Sequence, residues 1–151
     1  MKELLFFEDL EVGKTWESTA RTVTEADVVN FAGMTGDYDP LHVDHEYAAQ
    51  SPYKKTIAHG LLGLSLVAGL SSQCPRMCNI AFIEIRQWKF LQPLFPGDTV
   101  HAVTEVTELH GKGKRNGRVV WKRKLVNQDQ VTVQEGVFET LVATRSIQQQ
   151  Q

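Results

Sequence analysis

A chain of 151 residues, 42% of them hydrophobic and 23% charged, is long enough for one domain with a real core. Its formal net charge of −2 gives no bulk attraction to nucleic acid or to an anionic membrane, so neither is expected as a partner. The two cysteines, Cys74 and Cys78, make a single C-x3-C with no second pair to complete a zinc site, and they read as reduced thiols of a cytoplasmic protein.

In chain order, the opening "MKELLFFEDLEVGK" is not a signal peptide, because acids follow its short apolar run at once. Residues 15–23, "TWESTARTV", alternate as a strand does. "TEADVVNFAG" predicts a helix capped by Thr24, with Glu25 and Asp27 in its first turn and Gly33 at its end. Pro40 argues against regular helix through "GDYDPLH", and a second short helix, "HEYAAQ", is capped by Asp44 and stopped by Pro52.

The longest apolar stretch runs from Ile57 to Leu70 and falls short of the roughly 20 residues that span a bilayer. Its segment Gly60 to Leu70 is apolar on every side, which predicts a helix buried all round. The small residues Gly60, Gly63, Ser65, Ala68 and Gly69 would let a sheet approach closely. Beyond Cys78 come four strands: "IAFIEIRQWKF", "TVHAVTEVTEL", "RVVWKRKLVN" and "VTVQEGVFETLVA". The connections are "PLFPGD", with Pro96 and Gly97 suited to a type II turn, the hairpin loop "HGKGKRNG", and "NQDQ". A wholly apolar helix followed by an antiparallel sheet predicts an α+β hotdog fold, with a curled sheet wrapped around the helix. The free edge of such a sheet predicts a homodimer. Residues 1–146 are expected to form the domain, and 147–151 a polar, disordered tail.

The stretch "TGDYDPLHVDHEYAAQ", residues 35–50, crowds four acids and two histidines together. "HVDH" fails the di-zinc pattern H-x-H-x-D-H because Pro40 stands where a histidine is required, so no metal is expected. Asp44 reads as a helix cap, and His45 and Glu46 as a solvated face. Asp37 and His42 lie five residues apart across a proline-bent loop, which can turn both inward as an acid/base pair. The same two residues can equally be an Asx-turn acceptor and a loop histidine. Gly60, at the expected N-terminus of the apolar helix, offers a main-chain N–H where an oxyanion could form. "KGKRNGR" reads as a solvated hairpin loop, and no phosphate-binding glycine motif occurs.

"TGDYDPLHVD" followed by "IAHGLLGLSL" resembles the MaoC-like dehydratase family, which includes the (R)-specific enoyl-CoA hydratases. Gly36, Asp37, Pro40, Leu41 and His42 match its first motif, and His59 and Gly60 its second. One position departs: Asp39 stands where the family usually has Asn. The resemblance extends from "FFEDLEVGK" through "PLFPGDTV". It implies reversible addition of water to an α,β-unsaturated acyl thioester, giving an (R)-3-hydroxyacyl product in fatty acid metabolism. It implies that Asp37 and His42 hold the water and that the Gly60 N–H binds the thioester oxygen. Pro40, Leu41, His59 and Leu61 become candidates for the substrate pocket. The carrier would be coenzyme A or acyl carrier protein, with no further cofactor, and the dimer could extend to a hexamer. Two rival readings are a hotdog acyl-CoA thioesterase and a catalytically silent, thioester-binding or partner-stabilising hotdog. The first is disfavoured because Gly60 to Leu70 carries no carboxylate, and the second because Asp37 and His42 are both present.

Overall fold

The computed structural model describes residues 4–111 and 113–146. The tail expected over residues 147–151 lies outside that range, as does Lys112 of the hairpin loop. After a 3-10 turn at Phe7–Asp9 come β1 (Thr15–Glu17), β2 (Arg21–Thr22), α1 (Glu25–Thr35), α2 (Pro40–Val43), α3 (His45–Gln50), α4 (Gly60–Gln73), β3 (Asn79–Phe90), β4 (Thr99–His110), β5 (Asn116–Val126) and β6 (Thr132–Ala143).

Local chemistry explains most of these boundaries. The Thr24 hydroxyl accepts the Asp27 N–H at 3.1 Å, and the Asp27 carboxylate accepts the Thr24 N–H at 2.8 Å, a reciprocal cap that starts α1. The helix does not end at Gly33 as expected. It continues to Thr35 and stops at Gly36, whose φ of 79° is the left-handed conformation that favours glycine. The strand expected over residues 15–23 splits in two. The Ser18 N–H still donates to Ala102 O at 2.9 Å, but its hydroxyl takes the Ala102 N–H at 2.9 Å in place of its main-chain carbonyl. Pro40 does not exclude helix either. It sits at the first position of one-turn α2, where a missing N–H costs nothing.

The sheet is antiparallel, in the order β1-β4-β5-β6-β3, with β2 also paired to β4. Along β4, alternate residues Val100, Ala102, Thr104 and Val106 are fully buried, and they face α4 together with Val119, Trp121 and Leu125 of β5. The turn into β4 closes between Phe95 O and Asp98 N at 3.0 Å, with Gly97 at φ 98°, as a type II turn requires. The sheet curls around α4 without closing, which is the hotdog arrangement. Strand β3 forms one edge.

The expectation that α4 is buried all round does not hold within one chain. Leu62, Gly63, Leu66, Val67 and Ser71 are buried, but Leu61 is 58% exposed and Ser65 and Gly69 face outward. The open sheet covers one side of the helix only. Gly63 does serve close approach: the Gln134 amide lies where its Cβ would be, at 2.2 Å. Gly69 has nothing within 4 Å of that position and serves no such contact. Cys74 and Cys78 are unpaired. Among the described residues, no helix is long and apolar enough to cross a membrane.

Candidate active site

Three segments far apart in sequence meet at the N-terminus of α4. The left-handed turn at Gly36 releases the chain from α1, and Asp37 follows it. The Asp37 carboxylate accepts the Asp39 N–H at 3.3 Å. Asp39 in turn accepts the Leu41 N–H at 2.9 Å and thereby caps α2, which presents His42. Asp44 accepts the Tyr47 N–H at 2.9 Å and caps α3, the role expected for it. The neighbouring carboxylates therefore build the loop, and Asp37 is left facing the site.

Both site histidines have tautomers set by carbonyl partners, which can only accept. His42 Nδ1 lies 2.7 Å from Ile57 O, so Nδ1 carries the proton and Nε2 keeps a lone pair. His59 Nε2 donates to Asp37 O at 2.9 Å. The His59 ring is 2% exposed, stacks on His42 with centroids 3.8 Å apart, and lies 5.0 Å from the Phe31 ring. It stands at the N-cap of α4 but makes no cap hydrogen bond. Its Nδ1 is buried without a partner.

One polar atom from each of Asp37, His42 and His59 lies within 4.8 Å of the other two. A carboxylate with two imidazoles is a donor set that a transition metal accepts. The two rings, however, stack with planes only 29° apart. Their in-plane lone pairs therefore run side by side rather than toward one point. The same cluster suits a water molecule, which needs two acceptors for its two protons.

The three residues line a cavity of about 250 Å³ with Gly60, Leu61, Phe31 and Phe90. Gly60 is the first residue of α4, so its N–H and that of Leu61 lack a carbonyl one turn earlier and sit at the positive end of the helix dipole. A second cavity of about 290 Å³ adjoins the first, sharing Gly60 and Phe90, and is walled by Tyr53, Leu91, Pro93 and Leu94. Of the residues selected from sequence, Asp37, His42, His59, Gly60 and Leu61 come together. Pro40 and Leu41 are not in that wall. Pro40 opens α2, and Leu41 lines a separate cavity with Tyr47 and Tyr53.

Sequence reasoning did not select Phe31, Phe90 or Gln134. Phe90, at the end of β3, would be 2.9 Å from a Cβ on Gly60, so it fits there only against glycine. Gln134 of β6 is 2% exposed. It accepts the Trp88 indole N–H at 3.0 Å and donates to Gly60 O at 3.1 Å, fastening the start of α4 to the sheet. A polar residue inside the strand pattern of "VTVQEGVF" was the one available signal.

Comparison with known proteins agrees with the fold. A model described as "MaoC like domain" matches residues 9–130. The chain is 37% identical over 113 residues to a 3-hydroxybutyryl-CoA dehydratase of Methylorubrum extorquens, covering 74% of this chain and 70% of that one. It is 36% identical over 107 residues to an (R)-specific enoyl-CoA hydratase of Rhodospirillum rubrum, covering 70% and 72% respectively. The structure of a monoamine oxidase regulatory protein from Archaeoglobus fulgidus superposes with a TM-score of 0.87 at 35% identity, covering 95% of this chain and 98% of that one. With a hotdog fold and these matches, the chain belongs to the MaoC-like family. It is an enzyme of the hydratase/dehydratase type, a carbon–oxygen lyase.

Proposed function

We propose that this enzyme adds water reversibly to an α,β-unsaturated acyl thioester, giving the (R)-3-hydroxyacyl thioester, with Asp37 and His42 acting on one water. The observation that carries the reading is the convergence of the Asp37 carboxylate and the His42 ring beside the free N–H of Gly60 in one cavity. With Nδ1 held by Ile57 O, His42 offers Nε2 as an acceptor, and the Asp37 carboxylate offers a second. A water donating to both keeps an oxygen lone pair free to attack the β-carbon. One water proton passes to the pair, the hydroxyl bonds to the β-carbon, and the proton returns to the α-carbon on the same face. Enolate charge grows on the thioester oxygen meanwhile, and the Gly60 N–H is the donor for it. Gly60 belongs to both cavities, so a thioester carbonyl held there has room on either side.

The carrier is coenzyme A or acyl carrier protein, and every step above is performed by protein groups with no further cofactor. The unit that works is a homodimer. Strand β3 is the sheet edge, and it exposes Ile80, Phe82, Ile83 and Ile85 next to the uncovered side of α4. A second copy would cover both, and light scattering should give at least twice the chain mass of 17.0 kDa. A monomer at micromolar concentration would count against it.

The activity test follows the loss of enoyl-thioester absorbance over a panel of chain lengths, with chiral analysis of the product. Saturable loss with an (R) product supports the reading. Release of free CoA from a saturated acyl-CoA would favour a thioesterase, and binding without turnover would favour a silent hotdog.

A further inference from the structure

Among the described residues, Arg123 is a buried cation without a counter-ion. It lies on the core-facing side of β5, opposite Thr104 of β4 and Gly136 of β6, and is 7% exposed. Its guanidinium carbon sits 4.6 Å from the centroid of the Phe138 ring and 5.8 Å from that of Trp121. Among the described residues no carboxylate pairs with it, and its Nε is buried with no hydrogen-bond partner. Burial alone pushes its pKa down to about 10, which leaves it charged at neutral pH. A buried, unpaired charge is strongly unfavourable, and a charge-assisted hydrogen bond from a fitted anion relieves it.

The space for that anion is present. Arg123 lines a cavity of about 120 Å³ with Ser72 of α4, Asn79, Ala81 and Phe82 of β3, and Thr140 of β6. Thr140 Oγ1 accepts the Trp121 indole N–H at 2.9 Å, so the threonine hydroxyl proton is free to donate. Asn79 adds an amide. No acid lines the cavity, which is therefore rich in donors and holds one positive charge. A single guanidinium fork matches one planar carboxylate and one negative charge better than a phosphate dianion. Ala81 and Phe82 give apolar wall for the stem that carries it. The cavity is separate from the one around Asp37 and His42. Ser72 and the lining residue Ala68 lie two to three turns along α4 from Gly60, ~12–18 Å at the helical rise, and the two cavities share no lining residue.

We propose that Arg123, with Thr140 and Asn79, forms a second binding site on this protein, which takes one carboxylate on a short apolar stem. The carboxylate comes either from a small acid in solution or from an Asp or Glu side chain of a second copy, since Asn79, Ala81 and Phe82 belong to the edge strand β3.

The Trp121 indole N–H, bonded to Thr140, is a reporter inside the site. Propionate is titrated at constant ionic strength against the ¹⁵N-labelled protein, with the neutral isostere propionamide as control, and Tm is followed in parallel. If the acid comes from solution, propionate shifts the Trp121 signal saturably and raises Tm, propionamide does neither, and Arg123→Gln weakens the response at least tenfold. Arg123→Lys, which keeps the charge but loses the fork, retains part of it. If the second copy supplies the carboxylate, propionate has no effect, and Arg123→Gln raises the dimer dissociation constant at least tenfold. Equal responses to propionate and propionamide overturn the proposal. So does the absence of a propionate response together with unchanged dimerisation in Arg123→Gln. Should Arg123→Gln fail to fold, the comparison of propionate with propionamide on the unaltered protein and the dimer constant of Arg123→Lys decide the matter in the same way.

Discussion

His59 donates its Nε2–H to the main-chain carbonyl of Asp37 at 2.9 Å, which ties the start of α4 to the loop that carries the carboxylate. Its ring also backs His42 at 3.8 Å. One side chain thus sets the separation between the two residues proposed to hold the water, and it does so from the position before the proposed oxyanion donor.

His59→Ala should therefore lower kcat by ~10–100-fold through misplacement, although the chemical groups remain. His59→Gln can place an amide N–H near the same carbonyl and should recover most of the rate. Steady-state kinetics on an accepted enoyl thioester checks both, and equal rates for the alanine variant and the parent would remove the positioning role.

Gln134→Ala should destabilise the fold by ~2–4 kcal/mol, because it leaves the Trp88 indole N–H without its partner, removes the amide bond that ties the Gly60 carbonyl to the sheet, and opens space over Gly63. Urea unfolding measures it. A loss below ~0.5 kcal/mol would mean that water replaces the amide freely.

The carboxylates flanking the pair are predicted to be dispensable as charges. Asp39 caps α2 and Asp44 caps α3, each through one backbone N–H, which asparagine accepts equally well. Asp39→Asn and Asp44→Asn should each keep kcat/KM within about threefold of the parent. A large loss in either would place acid/base chemistry outside Asp37 and His42.

Glu139 governs part of the acid stability. Burial pushes its carboxyl up, but hydrogen bonds from Arg86 and Arg118 and their charges outweigh burial and hold it below the usual carboxylate range. The folded protein thus binds this proton less readily than the unfolded chain. The contribution is complete above the unfolded value, about 4.3, and disappears as pH falls through the lower folded value. Glu139→Gln should flatten the loss of stability below about pH 4, as measured by denaturant unfolding at a series of pH values. An unchanged slope would contradict the pairing.

Much of this was legible in the sequence because it is local. Thr24 and Asp44 cap helices from within three residues, Gly97 makes the tight turn into β4, and the apolar run after His59 could only be a core helix. Legibility failed where a contact joins distant segments. Nothing near Gln134 reveals that it reaches Gly60, and nothing near Phe90 reveals that it closes on the same glycine. Gly33 and Gly36 both look like helix stops, and only the second takes the left-handed conformation that ends α1. The apolar character of α4 suggested burial on every side, yet one chain covers half of it, because sequence pattern does not say which molecule supplies the cover.

The most direct test of the account is a double-mutant cycle on kcat/KM with Asp37→Asn, His42→Ala and their combination, using an enoyl thioester that the parent protein hydrates. Asp37→Asn keeps the shape of the side chain, so its effect reports charge. Each single change should leave the fold intact and lower the rate by roughly 10²–10⁴-fold. The combined variant should fall little further, because the two residues act on one water as a unit. Wild-type rates in either single variant, or losses that multiply in the double, would contradict the claim that Asp37 and His42 form one catalytic pair.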